Sequence, residues 1–344
     1  MRIRIKRINL LNINSEDRRH IDHVLDHSPN ATVFHTIEWN QLLIDYFGLK
    51  NVTLLAHIAD NPVGLFNFYR LKDNSCWSSA VNLHSVYGGP ISTNNSVPVI
   101  IALLKKAENI CPFADFRIWT PPHYDISAFL HSGYTKKEMY TPIMNIQGTE
   151  EELWARMPHD KRYEIRKALK NNIRIKIGDT KALYLFCHLL EETLAKSGLT
   201  SLPEGFLIRL FEKLHPLGRA KLWIAEHDET IISSAFILYY KNTAYYWNIG
   251  WRREYGKLGP NDLMSWEIVK DASQKGCVYY DLLRLEPDRL PSIALWKKKF
   301  GGDVATCYYL SKSPFKNKIW RGTKMILADP PRAFQKIFKS RFSG

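Results

Sequence analysis

The chain of 344 residues has few cysteines and no long apolar stretch, and each deficit excludes a class of protein. Its five cysteines lie far apart, none forms a CxxC pair, and their number is odd. This argues against a disulfide framework or a structural zinc site and favours a reducing compartment. No run approaches the ~20 apolar residues of a membrane-spanning helix, and the basic-apolar alternation of residues 1–13 predicts a strand, not a signal peptide. We therefore expect a soluble, cytoplasmic protein of about two domains.

Motifs for covalent catalysis and for nucleotide binding are also missing. The sequence has no GxSxG, no HExxH, no P-loop and no GxGxxG that opens a helix. His20, His23 and His27 lie among aspartates and could be mistaken for a set of metal ligands, but their helical spacing favours a polar surface. We therefore expect no metal site, and no serine, cysteine or metal-activated nucleophile.

Positive charge is in excess, and it is clustered. The net charge is +14, and residues 311–344 hold nine Lys and Arg against one Asp. Residues 156–176 hold eight basic residues against Asp160 and Glu164, so the two segments account for the whole excess. Clustered charge of one sign predicts an anionic partner, whereas a scattered surplus would only favour solubility.

The chain repeats its own order of elements, which is the main clue to its organisation. Residues 54–70 and 222–240 each resemble two strands joined by a turn, and a third strand with a Gly-Pro element follows each pair. A helical pattern, a short strand and a glycine turn come next in both halves, and the first strand pair and the final glycine turn each recur at an offset of 168 residues. We predict an α+β fold of two tandem domains, 1–148 and 149–310, each a mixed, mainly antiparallel sheet flanked by helices.

A short basic helix is predicted at residues 160–170. Ile165, Ala168 and Leu169 form its apolar side, while Arg162, Arg166 and Lys170 recur every four residues beside Lys161. Such a stripe could hold a diphosphate or a nucleic-acid backbone. The alternative is an ordinary solvated helix face.

A glycine-bearing loop precedes a predicted helix in the second half. Arg253, Gly256 and Gly259 lead into Pro260 and Asn261, where backbone N–H groups could bind a phosphate. Asp262 in the first helical turn opposes an anion at that place. The alternative is a turn with a helix cap, and the sequence leaves both open.

A lysine between two aromatic residues is the strongest candidate for chemistry. Lys297 lies between Trp296 and Phe300, after the predicted strand that contains Asp281 and Arg284. A lysine held in this way can polarise a carbonyl or stabilise the charge of a tetrahedral intermediate. The alternative is a helix end with favourable lysines and a glycine cap, which suits Lys298 and Lys299 better.

Four local sequences, in this element order, resemble a known superfamily. They are Phe34–Trp39, Ser85–Pro90, Lys161–Ala168 and the stretch Trp296-Lys297-x-x-Phe300-Gly301. Across roughly residues 5–310 they resemble tandem GNAT (N-acetyltransferase) domains, in particular the Fem-type aminoacyltransferases and BioF2-like acyltransferases. Two features depart from the family: the phosphate loop is longer than [QR]xxGx[GA], and no long coiled-coil insertion is present.

The resemblance implies an amide-forming transferase. Fem-type members pass an aminoacyl group from charged tRNA to an amine on a peptidoglycan precursor, so a cell-envelope or polysaccharide precursor is the expected acceptor. Lys297 would assist carbonyl activation or bind the tRNA end, and no cofactor would be required. Asp281 and Tyr246 are candidates for a general base by position alone. The expected substrate-binding residues are Lys161, Arg162, Arg166, Tyr246, Arg253, Gly256, Gly259, Asn261, Asp281, Arg284, Trp296 and Phe300.

Two other functions stay open. The same fold could use acyl-CoA as co-substrate on an amino sugar or small amine, or it could be a non-catalytic protein that binds tRNA or a membrane. The basic amphipathic tail, residues 311–344, places Phe334, Ile337, Phe338 and Phe342 on one helical face. Such a helix could make a peripheral contact with the inner membrane face, bind tRNA, or pack on the protein body.

Overall fold

The chain folds into two compact units, which do not coincide with its two halves. The structure, a computed structural model, describes residues 2–78 and 86–314. The first unit comprises residues 1–139 and 306–344, and the second comprises residues 140–305. Two strands, β7 (Thr135–Asn145) and β13 (Asp303–Lys312), run across the points of division.

The described part of the first unit is a mainly antiparallel sheet with four helices. Its strands are β1 Ile3–Ile8, β2 Lys50–Ile58, β3 Asn61–Arg70, β4 Ser75–Ser78, β5 Ile91–Ser92 and β6 Asp115–Trp119. Its helices are α1 Ser15–His27, α2 Ile37–Phe47, α3 Val97–Ile110 and α4 Ser127–His131. The strand order is β1-β2-β3-β4-β6, with β5 on β3, and β4 pairs with β6 in parallel. The second half of β13 pairs antiparallel with β6, Tyr309 opposite Trp119.

Local sequence sets the helix boundaries in this unit. Asn14 caps α1 by accepting the backbone N–H of Asp17, and Thr36 does the same for α2. Gly48 ends α2 in the left-handed conformation that glycine adopts without strain. The apolar face of α3, with Leu103 and Leu104 fully buried, packs on the sheet.

The second unit has the same plan. Its strands are the last residues of β7, β8 Arg174–Ile177, β9 Ala220–His227, β10 Thr230–Tyr240, β11 Thr243–Trp251 and β12 Tyr279–Asp281. Its helices are α5 Glu150–Arg156, α6 His159–Lys170, α7 Thr180–Ala195, α8 Glu204–Leu214, α9 Pro260–Gln274 and α10 Pro291–Phe300. The strand order is β7-β12-β11-β10-β9-β8, antiparallel except for the parallel pair β11 and β12. A core of apolar side chains from the sheet, α6 and α9 includes Ile165, Ile268 and Phe300.

The predicted α+β class and the repeated element order are confirmed. The run β1-α1-α2-β2-β3-β4-α3-β6-α4-β7 recurs as β8-α7-α8-β9-β10-β11-α9-β12-α10-β13, with β5 as an addition in the first copy. The units divide at 139/140 and 305/306 instead of at the predicted 148/149 and 310/311. The physical reason is strand pairing: residues 143–145 pair with β12, and residues 309–312 pair with β6.

The basic helix differs from its prediction at two positions. Leu169, predicted on its apolar side, is 55% exposed, and Lys161 takes a buried place there instead. The predicted basic tail lies outside the described residues except for residues 311–314, so its predicted helix is not described. Within residues 2–78 and 86–314, no helix is long and apolar enough to cross a membrane.

Candidate active site in the second unit

The site begins where two parallel strands part. Residues 243–245 of β11 pair with 279–281 of β12, and the ladder between these strands ends there, although β11 continues to Trp251 beside β10. The pairing of β10 with β11 shifts between Ile237, opposite Tyr246, and Phe236, opposite Asn248, so Trp247 is an extra residue in β11. Such a bulge re-aims side chains and is common beside active sites.

Lys297 enters this region from α10. It is only 9% exposed, and its Nζ donates to the carbonyl oxygen of Arg284 at 3.4 Å. Burial lowers the pKa of Lys297 to about 8, while the nearby carboxylates of Glu286 and Asp281 act in the opposite direction. Lys298 and Lys299 on the same turn are exposed, in agreement with the helix-end interpretation for these two residues.

The turn after β12 presents the carbonyl that Lys297 contacts. Asp281 is 1% exposed, and its Oδ1 accepts from Thr141 Oγ1 and from the backbone N–H of Leu283, each at 2.7 Å. Leu283 is buried with φ of 58°, a left-handed conformation that costs a leucine about 1–3 kcal/mol. The Asp281 carboxylate therefore stabilises the strained turn that leads into Arg284.

The Glu286 carboxylate lies between two guanidinium groups of the loop that follows β12. Arg284 donates to Glu286 Oε1, and Arg289 Nη1 donates to Glu286 Oε2 at 3.2 Å. The Glu286 side chain is 11% exposed and that of Arg284 is 16% exposed. Arg284, a predicted substrate-binding residue, therefore has its guanidinium engaged within the loop and its carbonyl turned to Lys297.

Lys161, Asp262 and Trp296 form a buried polar cluster. Lys161 Nζ lies 2.7 Å from Asp262 Oδ1, and Trp296 Nε1 donates to the same oxygen at 3.0 Å. The two charged side chains are 8% and 10% exposed. Burial raises the pKa of Asp262, and the Lys161 ammonium opposes that rise. Removing one member of such a pair typically costs ~3–5 kcal/mol because the other charge stays buried alone.

Aromatic rings connect this cluster to the sheet. The Trp296 ring stacks on Tyr246 with centroids 5.4 Å apart and an interplanar angle of 29°, and it contacts Phe300 at 5.1 Å. Phe300 is fully buried. Burial raises the pKa of Tyr246 well above its usual range, so the phenol stays protonated at neutral pH. The structure thus brings five predicted residues together: Lys161, Tyr246, Trp296, Lys297 and Phe300.

The basic stripe of α6 is partly engaged in packing. Arg162 Nη1 donates to the carbonyls of Trp154 and Ala155 at the end of α5, at 3.4 and 3.2 Å. The Arg166 guanidinium lies 5.3 Å from the centre of the Trp154 ring. Arg166 and Lys170 are exposed. Two members of the stripe are therefore accessible to an anion, while Lys161 is buried and Arg162 caps a neighbouring helix.

The glycines of the predicted phosphate loop are packed against neighbouring protein groups. Gly259 has φ of +76°, and a Cβ there would lie 2.8 Å from the carbonyl oxygen of Glu164. A Cβ on Gly256 would lie 2.7 Å from the Trp251 ring. Asn261 accepts from Ser233 Oγ at 2.6 Å. Both glycines are thus needed for close packing, which favours the turn-and-cap interpretation. Among the predicted binding residues of this loop, Arg253 is exposed.

Sequence reasoning missed the roles of three residues near this site. Asp262, expected only to oppose an anion, is the partner of Lys161 and Trp296. Glu286 carries no sequence signal, although it raises the pKa of Lys297. The buried Nε of Arg252, next to Arg253, has no hydrogen-bond partner within the described residues. The pairing of Lys161 in α6 with Asp262 in α9 has no local sequence signal, because the two residues are 101 positions apart.

The arrangement can contribute to acyl transfer by electrostatic stabilisation. A buried cation beside separated strands can stabilise negative charge that develops on a carbonyl oxygen. Within residues 2–78 and 86–314 no cluster of three or more His, Cys, Asp and Glu could hold a metal ion. The five cysteines are buried and free.

Comparisons with known proteins bear on the fold and on the class of reaction. Residues 156–292 match the family model described as an acetyltransferase (GNAT) domain. No curated protein sequence is significantly similar to the chain. The crystal structure of FemX is similar with a TM-score of 0.71 and 14% identity, over 92% of this chain and 98% of that one.

Two other solved structures share the fold. The C-terminal domain of a putative lysylphosphatidylglycerol synthetase from Agrobacterium fabrum has a TM-score of 0.59 at 9% identity, over 90% of this chain and 95% of that one. A tandem GNAT protein from the clavulanic acid biosynthesis pathway has a TM-score of 0.55 at 8% identity, over 91% and 99%. These likenesses and the family model support acyl transfer in general. The chain therefore shares its fold with FemX and with a tandem GNAT protein, and the match of residues 156–292 to the acetyltransferase model identifies it as a transferase.

Proposed function

We propose that the chain transfers an acyl or aminoacyl group from an activated donor, such as an aminoacyl-tRNA, to an amine on a cell-envelope or polysaccharide precursor. The observation that carries the proposal is Lys297, a buried lysine with one backbone acceptor at 3.4 Å, at the place where β11 and β12 part. A buried ammonium is costly for stability, and such groups cluster at functional sites.

In this mechanism the acceptor amine attacks the donor carbonyl and forms a tetrahedral intermediate. The carbon–oxygen double bond gives up one electron pair to oxygen, and the Lys297 ammonium stabilises the resulting oxyanion by a charge-assisted hydrogen bond. The intermediate then collapses, the amide forms, and the donor's alcohol or thiol leaves with a proton. Because the pKa of Lys297 is about 8, the ammonium form predominates at neutral pH.

Neither residue suggested by position is well suited to accept the proton of the amine. Tyr246 keeps its own proton because burial raises its pKa. The Asp281 carboxylate is buried and accepts from Thr141 and Leu283. Both residues act in the site as supports, Tyr246 for Trp296 and Asp281 for the turn before Arg284.

Two observations support an aminoacyl donor. FemX and a putative lysylphosphatidylglycerol synthetase share the fold, and the latter's name specifies an aminoacyl product. Arg166 and Lys170 are exposed on α6, and such a pair suits the phosphates of a tRNA or of a precursor. The basic tail would add to this attraction, either to the polyanion or to an anionic membrane surface. No cofactor is needed for this chemistry.

Transfer from acyl-CoA to an amino sugar or small amine is the second candidate. The matching family model is that of an acetyltransferase domain. Arg252 and Arg253 follow β11 directly, and the buried Nε of Arg252 has no partner among the described residues. A phosphate could bind these side chains, although the glycines of the loop are already packed against Trp251 and Glu164.

A donor screen tests the proposal. Purified protein is given labelled aminoacyl-tRNA or acyl-CoA with pooled amine acceptors, and mass spectrometry detects the amide product. We expect transfer from aminoacyl-tRNA, and a loss of at least ~100-fold in Lys297→Ala. Lys298→Ala, an exposed neighbour, is the matched control and should retain activity.

Each other outcome has a definite meaning. Transfer from acyl-CoA with indifference to tRNA would select the second candidate. Full activity of Lys297→Ala would contradict the mechanism, even if transfer itself is observed. Absence of transfer from either donor would contradict the proposed function.

A further inference from the structure

One carboxylate oxygen joins three helices of the second unit. Asp262 Oδ1 lies in the first turn of α9 and accepts from Lys161 of α6 and from Trp296 of α10. The Lys161 ammonium also lies 5.5 Å from the centre of the Trp296 ring. The three side chains therefore constrain one another by two hydrogen bonds and one cation–π contact.

This cluster lies directly beside the candidate catalytic lysine. Trp296 and Lys297 are consecutive on α10, so a shift of the helix at the tryptophan also moves the lysine. Within the described residues, the side-chain hydrogen bonds of α10 to the rest of the unit are Trp296 to Asp262 and Lys297 to Arg284. Tyr246 supports the Trp296 ring by stacking. Two side-chain hydrogen bonds thus hold α10 in addition to the packing of Phe300, and one of them is that of Lys297 itself.

A buried ion pair is a poor means of stabilising a fold. Apolar side chains of similar volume often serve as well or better, because the charges must be removed from water. An ion pair does, however, fix a geometry, since a misplaced charge in an apolar interior is costly. Lys161 is therefore best understood as the group that keeps the Asp262 carboxylate charged and in place beside Trp296.

We propose that Asp262 is a positioning residue for the transfer reaction, which holds Lys297 in place through Trp296, and that Lys161 is the counterion that makes this possible. The proposal rests on the proposed function for the role of Lys297. The position of Lys297 itself can be measured without any donor.

The test compares two double variants and one single variant. Lys161→Met with Asp262→Asn, the amide double variant, removes both charges but leaves an amide oxygen for the Trp296 N–H. Lys161→Met with Asp262→Leu, the leucine double variant, removes the charges and the acceptor. Trp296→Phe keeps an aromatic ring for Tyr246 but removes the donor. None of the three leaves a buried unpaired charge, so folding is retained, which circular dichroism and Tm verify.

The first readout is the titration of Lys297 by trace acetylation with acetic anhydride across pH, followed by peptide mass spectrometry. We expect a midpoint near pH 8 in the parent protein and in the amide double variant, which keeps the acceptor for Trp296. We expect a rise of about one pH unit in the leucine double variant and in Trp296→Phe, because a displaced Lys297 becomes hydrated. The second readout is transfer: kcat should fall about tenfold or more in these two variants with KM little changed.

The control is another lysine–aspartate pair of α9. Lys221 Nζ lies 2.6 Å from Asp271, at the opposite end of the helix from Asp262. Lys221→Met with Asp271→Asn should leave the Lys297 titration unchanged, whatever its effect on Tm. An unchanged titration in both the leucine double variant and Trp296→Phe would overturn the proposal. A failure of the proposed function would look different. In that case the protein would transfer from neither donor, while the Lys297 titration would still shift in these two variants.

Discussion

Lys297 Nζ lies 3.4 Å from the carbonyl oxygen of Arg284, and the turn that presents this carbonyl is stabilised by Asp281. The contact is long for a hydrogen bond to a charged donor, which usually measures about 2.7–2.9 Å. The ammonium is therefore buried but only weakly satisfied. A substrate carbonyl that approaches it would gain a strong interaction at little cost in rearrangement.

Lys297→Met should make the protein more stable at neutral pH while it abolishes transfer. The folded-state pKa is about 8 against an ordinary value of 10.5, so burial of the charged form opposes folding below pH 8. Removing that cost should raise the free energy of unfolding by up to about 3 kcal/mol at pH 7. Chemical denaturation at several pH values measures it.

The sign of the pH dependence follows from proton binding. Between pH 8 and 10.5 the unfolded chain holds more protons than the folded one, so the parent protein gains stability as pH rises. The advantage of Lys297→Met should therefore shrink over this interval. An equal advantage at pH 7 and pH 10 would contradict the buried, charged lysine. Lys298→Met should have little effect at any pH.

Glu286→Gln should shift the alkaline limb of the activity profile to lower pH. The Glu286 carboxylate raises the pKa of Lys297, so its loss lowers that pKa further below the ordinary value. If transfer needs the ammonium, activity falls as pH rises through about 8 in the parent, and at a lower pH in the variant. The pH dependence of kcat/KM measures this. Glu204→Gln, at an exposed position on α8, is the control and should leave the limb in place.

Gly259→Ala should destabilise the protein more than Gly276→Ala. The two glycines have nearly equal φ, +76° and +79°, so both substitutions incur similar backbone strain. A Cβ at position 259 would meet the Glu164 carbonyl at 2.8 Å, whereas nothing lies within 4 Å of one at position 276. We expect an additional loss of about 1–3 kcal/mol for Gly259→Ala by thermal or chemical denaturation. Equal losses would show that α6 does not pack against this turn.

Substitution of Lys170 should weaken binding to a polyanion and reduce its salt dependence. Lys170 and Arg166 are exposed on α6, while Arg162 donates to the carbonyls of α5. Fluorescence anisotropy with labelled tRNA should show a slope of log K against log salt that is lower by about 0.7–0.9 in Lys170→Gln. Arg162→Gln should lower Tm more than it changes the slope. A slope that is unaffected by both Lys170→Gln and Arg166→Gln would contradict an anion site on this helix.

The element order could be predicted from the sequence because hydrophobic periodicity and glycine turns are local signals. The internal repeat of the sequence predicted α3 and α9 correctly, together with the glycine turns that precede β7 and β13. The burial of Lys161 could not be predicted, since a basic residue in a basic run has the pattern of a solvated face. Its partner Asp262 follows 101 residues later. Domain boundaries differed from the predicted ones for a similar reason: pairing of β7 with β12 and of β13 with β6 is long-range.

The passage of β13 from one unit to the other has a consequence for synthesis. The β6 strand, complete at Trp119, pairs with residues that leave the ribosome almost 200 residues later, as Trp119 opposite Tyr309 shows. An unpaired strand edge in a nascent chain can recruit another chain and aggregate. The first unit therefore cannot complete its sheet during translation until the second has been made, and fragments that end before β13 should be poorly soluble. Late pairing of this kind also predicts slow folding, because the loop to be closed is long.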